Sequence, residues 1–396
     1  MMAGNSASEL GAKVIIIEKN KQPGIKLLLT GNGRCNLTNK INNNKILASH
    51  YGSNGKFLLS GFAQFNDQDT IDFFEARGVK TKVEDNNRVL PVSNRASDVL
   101  DALLKDLKNR SVTTKNNSTI TKIFSKNNKI QKIIINDQEE IIAKNYLIAV
   151  GGKSYPLTGS TGDGYTWLKN LGHTVIEPKP ALTPIILKER FINNLEGLSF
   201  KDKLITIRQN NILLAKETGD FIFTADGISG PAIINLSRLI TNRLIGTEKV
   251  IIDFFPQQTE KELNLSLQQT WTTQLNKTIK NALTELLPGK FIEVILPLIK
   301  INLTKKINSI TREERKRLIE LLKEFTLEIK KLADFNQAMI TKGGVKINEI
   351  DPKTMRSKII DNLYLAGEII DLDGPTGGFN LQICWTTGYV AGKNAI

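Results

Sequence analysis

The segment LYLAGEIIDLDGPTGGFNLQ, residues 363–382, passes from strand to turn to helix. Leu363 to Ala366 reads as a short apolar strand, and Gly367-Glu368-Ile369-Ile370-Asp371 follows it directly. Gly374-Pro375-Thr376-Gly377-Gly378 is a glycine-rich turn, after which a helix is expected from about Phe379. The first turn of a helix has free backbone amides and about half a positive charge. Gly377, Gly378, Phe379, Asn380 and Leu381 would thus present an electropositive backbone, suited to the edge on which a reduced flavin carries negative charge. Glu368 and Asp371 stand at the strand exit, and Asp371 is placed to accept a ribityl or ribose hydroxyl. Asp373, beside Gly374, reads as a turn residue.

Two more apolar runs end in the same way. Tyr146 to Val150 is a buried strand running into Gly151 and Gly152, where a backbone without side chains can pack closely on a cofactor. Gly151-Gly152-Lys153-Ser154 is not a phosphate-binding P-loop, because Leu147 holds the position of the required earlier glycine. Residues 155–165, rich in glycine and hydroxyls, read as a turn leading to a helix near Gly164. At the other end of the chain, Ser6 to Leu10 reads as a helix end closed by Gly11, and Lys13 to Glu18 as a strand. Glu18, at the strand end, is a candidate to accept both hydroxyls of a ribose. In Thr30-Gly31-Asn32-Gly33-Arg34-Cys35-Asn36 the glycines admit a close ligand, Arg34 offers a rigid cationic fork, and Asn36 can donate and accept. Cys35 reads as a small residue of the loop.

Between these segments, Asp69–Arg77 and Ala96–Leu107 read as helices. Residues 118–124 and 129–135 read as a hairpin around Asn127-Asn128, with a third strand at 139–144. After Pro178 and Pro180 the texture changes to short strands at 204–207, 212–215, 220–223 and 250–254, which implies a small barrel or sandwich. Asp226-Gly227 reads as a hairpin turn and Pro231 as a helix start. Residues 257–331 read as helical, with a capping box at Thr311–Glu314 and Leu318, Leu321, Leu322, Phe325 and Ile329 at helical spacing.

Charge is 54 − 40 = +14 over 396 residues, which raises the prospect of an anionic partner. The abundant Asn, Ile and Lys point instead to a composition bias, and nucleic acid is not expected as a partner. Two cysteines, Cys35 and Cys384, exclude a disulfide scaffold, and two distant histidines, His50 and His173, leave no zinc spacing. No signal-like start and no membrane-length apolar run occurs, so a cytoplasmic location is expected.

Six blocks taken in order resemble the BaiN/YhiN-like family of bacterial flavoproteins. They are TGNGRCNLTN (30–39), GGKSYPLTGSTGDGY (151–165), PALTP (180–184), FTADGISGPAI (223–233), TKGGVKINEIDPKTMRSK (341–358) and LYLAGEIIDLDGPTGGFNLQICWTTGYVAG (363–392). The resemblance implies an NAD(P)/FAD-dependent oxidoreductase of α/β class. Its Rossmann-like, two-dinucleotide-binding-type FAD domain is interrupted by an inserted β-barrel that carries a helical insert. The expected division is FAD domain at 1–190, barrel at 191–256, helical insert at 257–331, return strand of the barrel at 332–340, and FAD domain again at 341–396.

By the same resemblance Glu18 would hold the adenosine ribose and Ile120 would offer its backbone to adenine. Arg34, Cys35 and Asn36 would line pyrophosphate and flavin, and Gly151 and Gly152 would pack on the dinucleotide. Glu368 joins the cofactor site, Asp371 would hold the ribityl end, and Gly377 to Leu381 would face the ring. FAD is the implied cofactor, NAD(P)H a transient hydride donor, and a small organic molecule the substrate; no catalytic side chain and no metal is implied. The family's opening strand and G-x-G-x-x-G loop are not matched in residues 1–11. Weak FAD binding and an exposed apolar edge around Val14–Ile17 are therefore expected. An RNA-interacting flavoprotein and a non-catalytic remnant are the alternatives.

Overall fold

The apolar run near the start forms the strand Ile15–Ile17, which lies parallel to Thr113–Lys115 with Ile15 opposite Thr113. A second parallel pair joins Tyr146–Ile148 to Leu363–Leu365, strands more than 200 residues apart in sequence. These parallel strands and the helices around them make the Rossmann-like framework. The free edge of Ile15–Ile17 carries no strand; of the expected apolar edge only Ile15 is exposed (42%), and Val14, Ile16 and Ile17 are half-buried.

The computed structural model describes residues 1–396. It divides them into two units, Met1–Pro180 with Ala338–Ile396, and Ala181–Gln337. The first boundary thus falls at 180 rather than 190, and the second at 337 rather than 340.

In the first unit, the hairpin Ile120–Lys126 and Lys129–Ile135 turns through Asn127 and Asn128, both with positive φ, and Glu139–Ile141 adds a third strand. The Phe379–Asn394 helix packs on Met2–Glu9. Gly392 permits this, because a side chain there would overlap the Ala3 carbonyl. That C-terminal helix is also tied to the glycine loop: Trp385 Nε1 donates to the Leu37 carbonyl (2.9 Å), and Thr38 and Thr70 hydroxyls donate to Gln382 Oε1 (2.5 and 2.9 Å).

The second unit is a closed six-stranded barrel. Its strands run in the order Ile185–Leu187, Gly227–Ser229, Ile212–Phe223, Ser199–Gln209, Glu248–Asp253, Phe325–Leu332 and back to the first. Phe200, Phe221, Phe223, Phe254 and Phe291 pack ring against ring in its core. Two expectations fail here. Residues 212–215 and 220–223 are one continuous strand, carried across Gly219 by its pairing with Ser199–Gln209. Phe325 and Ile329 do not extend the Arg312–Lys323 helix. They belong to the return strand, in which Phe325, Leu327 and Ile329 are buried at every second position. The barrel therefore closes with 325–332, not with 332–340. The helices Glu260–Thr272, Ile279–Leu283, Gly289–Leu298 and Arg312–Lys323 occupy the connection before it, and the expected Thr311–Glu314 capping box is formed.

Candidate functional site

Three chain segments leave the parallel strands of the first unit at their C-terminal ends: Glu18–Asn20, Val150–Ser154 and Ala366–Asp371. The second and third meet through Ser154 and Glu368, and the first meets the chain that continues the second. Asn20 Nδ2 donates to the Thr158 carbonyl (3.0 Å), and Lys19 Nζ reaches Asp163 Oδ2 (2.8 Å). Ligands of open α/β sheets bind at such strand ends.

Glu18 accepts the Asn20 N–H on Oε1 (2.8 Å), which leaves Oε2 open to a hydroxyl. The Ser118 N–H donates to the Glu18 carbonyl (2.9 Å), so the start of the Ile120–Lys126 strand, with Ile120, lies beside it.

Gly151 and Gly152 are glycines for a reason the sequence does not display. A side chain on Gly152 would overlap Thr341 and crowd the Glu368 carboxyl carbon at 3.1 Å, while one on Gly151 would lie 3.2 Å from Ser160 Oγ. The room they leave is filled by protein. Glu368 is the hub of this cluster: Oε1 accepts from the Thr341 N–H (2.6 Å) and Ser154 Oγ (3.0 Å), and Oε2 accepts from Lys26 Nζ (2.7 Å). Lys26 Nζ also donates to Ser154 Oγ (2.7 Å). Thr341 Oγ1 in turn accepts the Lys153 and Ser154 N–H groups (2.7 and 3.1 Å). Lys26 and Thr341 were not among the expected site residues. The available signals were a lysine just ahead of the TGNGRCN loop and a threonine opening the TKGG block.

The Phe379–Asn394 helix starts at Gly378 with φ 100° and no side-chain cap, so its first-turn amides stay uncapped. Asn36, with its amide oriented to satisfy its neighbours, accepts from the Gly378 N–H (3.1 Å) and donates to Thr38 and Val89 carbonyls (3.0 and 3.2 Å). Asn36 therefore sets the helix start. Phe379 stacks near His50, with ring centroids 4.4 Å apart. Asn380 turns back on the glycine-rich turn, accepting from Gly374 N–H and donating to the Gly374 carbonyl (both 2.9 Å). Its amide braces the turn, and only its backbone remains for a ligand. Leu381 packs on the cluster around Leu27 and Trp385.

The side chains of Arg34 and Cys35 are engaged within the protein. The Arg34 guanidinium is paired with Glu84 and Asn94 Oδ1 (2.7 Å), and it, with Lys82, holds the Glu84 carboxyl down to about 2. Cys35 is fully buried at φ 58°, and burial pushes its thiol up to about 12. Cys384, next to Glu368, is likewise raised to about 12 by burial and by that carboxylate. Asp371 accepts from Asn54 Nδ2 (3.3 Å) and is raised above the usual carboxylate range by burial and by the charge of Asp373. His173 is a packing residue, 4% exposed, with Nε2 2.9 Å from Ser357 Oγ.

A 3-dehydro-bile acid delta(4,6)-reductase of Clostridium scindens is 32% identical over 98% of this chain and 94% of its own. Ribosomal RNA dihydrouridine synthases of Haemophilus influenzae and Escherichia coli are 28% and 25% identical, over 96% and 100% of this chain and 92% and 95% of theirs. Among solved structures, a flavocytochrome c3 fumarate reductase superposes with TM-score 0.51 at 16% identity, covering 100% of this chain and 75% of that one. A 3-ketosteroid delta1-dehydrogenase from Sterolibacterium denitrificans superposes with TM-score 0.51 at 12% identity, covering 99% and 96%. These structures share the fold. The HI0933-like protein Rossmann domain matches residues 1–394, and with the bile-acid reductase it makes this chain a member of the HI0933-like, BaiN-like family of flavoprotein oxidoreductases.

Proposed function

We propose that the chain is an FAD-dependent oxidoreductase that takes hydride from NAD(P)H and delivers it to a carbon–carbon double bond conjugated to a carbonyl. The observation that carries this reading is that Glu18, Glu368 and Asp371 each follow the C-terminal end of a parallel strand in the unit that also holds the Phe379 helix start, which has no side-chain cap. The residues fit the cofactor. Glu18 Oε2 is open to the adenosine ribose, and the backbone near Ile120 flanks it. Asp371 is an acceptor for a ribityl hydroxyl, and the amides of Phe379 to Leu381 form a fixed positive edge for the flavin ring. Bound FAD would supply the two-electron relay between nicotinamide and acceptor. Nicotinamide oxidation gives up one hydride, and the acceptor takes that hydride and one solvent proton. Both thiols are raised to about 12, which makes them weak acids and poor sources of that proton.

The choice of acceptor rests on the relatives' names. A delta(4,6)-reductase saturates double bonds of a 3-oxo compound, and dihydrouridine is uridine with its conjugated ring double bond saturated. The two names describe one kind of bond. The test is an absorbance scan of the purified protein after incubation with FAD, followed by anaerobic addition of NADPH or NADH. Bands near 370 and 450 nm (approximate for any oxidised flavoprotein) that bleach with one nicotinamide are the expected result. No retained flavin, or no bleaching with either donor, overturns the proposal.

A second reading takes the acceptor to be a uridine within RNA. Two relatives bear that activity in their names, and the net charge of +14 favours a polyanion. Its marks are salt-steep binding of a ribosomal RNA fragment and dihydrouridine detected in it by mass spectrometry. No binding at low salt ends this reading and leaves a small-molecule acceptor.

A further inference from the structure

The Lys26–Glu368 pair brings a partly exposed cation to the strand ends of the proposed cofactor site. Both Glu368 oxygens are used within the protein, by Thr341, Ser154 and Lys26, and the side chain is 16% exposed. Lys26 is 26% exposed, and its ammonium meets only two acceptors, Ser154 Oγ and Glu368 Oε2. An ammonium has three N–H donors. The ammonium therefore has one donor to spare, while Glu368 accepts three bonds of the roughly four its two oxygens can take.

The position of this cation is fixed by packing. Lys26 lies on the short Ile25–Leu29 helix, which follows Gly24 at φ 85°. A side chain on Gly24 would overlap Leu100 of the Ala96–Asn109 helix, so glycine lets the short helix seat closely there. Ser154, wholly buried, holds the ammonium from the second side. Desolvating two charges has a cost that a purely structural contact could avoid with apolar residues. Here the pair lies at the exits of Tyr146–Ile148 and Leu363–Leu365, at the same strand ends as the proposed cofactor site.

We propose that Lys26 is the fixed cation of the flavin site, held in place by Glu368 and Ser154, and that it raises the reduction potential of bound FAD. This rests on the FAD reading above. A positive charge near the ring favours the reduced, anionic form, and a buried negative charge opposes it. Removing the cation and removing the anion must then act in opposite directions.

The experiment measures FAD dissociation constants and midpoint potentials of wild type, Lys26→Gln, Lys26→Arg and Glu368→Gln, with far-ultraviolet circular dichroism as the fold check. Lys26→Gln is expected to bind oxidised FAD several-fold less tightly and reduced FAD at least tenfold worse than that, a shift of about 30 mV downward for a two-electron couple. Glu368→Gln is expected to shift upward, and Lys26→Arg to stay near wild type. A merely structural cluster would weaken binding in both charge-removing variants without splitting the sign of the potential shift. Shifts of the same sign, or none, overturn the inference while leaving the FAD reading intact. Wild type that retains no flavin overturns both. If Lys26→Gln fails the fold check, the direction of Glu368→Gln decides, and no upward shift there overturns the inference.

Discussion

Gly378 and Thr38 meet backbone to backbone: the place where a Gly378 side chain would begin is filled by the Thr38 carbonyl. Gly378 also has φ 100° and gives its N–H to Asn36. Gly378→Ala meets both a forbidden conformation and a carbonyl that the sheet pairing of Thr38 with Val89 holds in place. The expected loss is about 2–4 kcal/mol of stability, read as a lower urea midpoint with unchanged slope. A loss under about 0.5 kcal/mol would mean that the loop moves aside freely, and the helix start would not be the rigid anion site argued for above.

Asp371 sets a pH dependence with a definite sign. Burial and the neighbouring Asp373 raise its carboxyl above the ordinary aspartate value, while Asn54 and Lys342 oppose them. The native state then binds more protons than the unfolded chain between the two values. The contribution of Asp371 to stability falls as pH rises through that window, which begins near the ordinary value of about 3.9. Asp371→Asn removes the buried charge. It is expected to be more stable than wild type at pH 7, with the difference shrinking toward pH 4, in urea titrations across that range. A difference that does not depend on pH would show that the carboxyl is not raised. FAD affinity should fall in the same variant, through loss of the charged acceptor for a ribityl hydroxyl.

The legibility of the sequence divides along physical lines. Elements governed by local chemistry were readable: the Asn127-Asn128 hairpin, the Thr311 capping box, and the glycine turn before Phe379. Those decided by distant partners were not. Phe325 and Ile329 satisfy helical spacing and also strand alternation, and only pairing with Glu248–Asp253 and Ile185–Leu187 selects the strand. The site followed the same rule. Glu18 is readable because a strand end announces it, whereas Lys26 acquires its meaning from Glu368, 342 positions away. Arg34 has the chemistry of an anion ligand, but Glu84 and Asn94 already engage it. Gly152 looked like a place reserved for a ligand, and Thr341 takes the space.

The two thiols should be silent in the folded protein. Both are raised to about 12, by burial first, and Cys384, which is partly exposed, also by the Glu368 carboxylate. At pH 8 about one thiol in 10⁴ would be thiolate. A disulfide-exchange reagent is expected to detect neither cysteine in native buffer within minutes, and both once guanidinium unfolds the chain. One equivalent released from native protein would show a thiol that ionises readily and reopen Cys35 or Cys384 as a redox group.

The barrel unit carries its own conditions for folding. Its core of Phe200, Phe221, Phe223, Phe254 and Phe291, with the helices between Glu260 and Lys323, is drawn entirely from residues 181–337. Its six strands close on themselves, so no sheet edge is left to be covered. The two ends of the segment are already neighbours, because Ile185 pairs with Leu332 and the Ala333 N–H donates to the Pro184 carbonyl (2.9 Å). A segment with adjacent ends and a private core meets the requirements of an insertable domain. Residues 181–337 expressed alone are therefore expected to unfold in one cooperative transition, with stability of about 5–15 kcal/mol and dispersed amide resonances. They should bind no FAD, since Glu18, Asp371 and the Phe379 helix start all lie outside the segment. A collapsed chain without cooperative unfolding would show that the barrel needs the rest of the protein to fold, and flavin binding by the isolated segment would move the cofactor site out of the Rossmann-like unit.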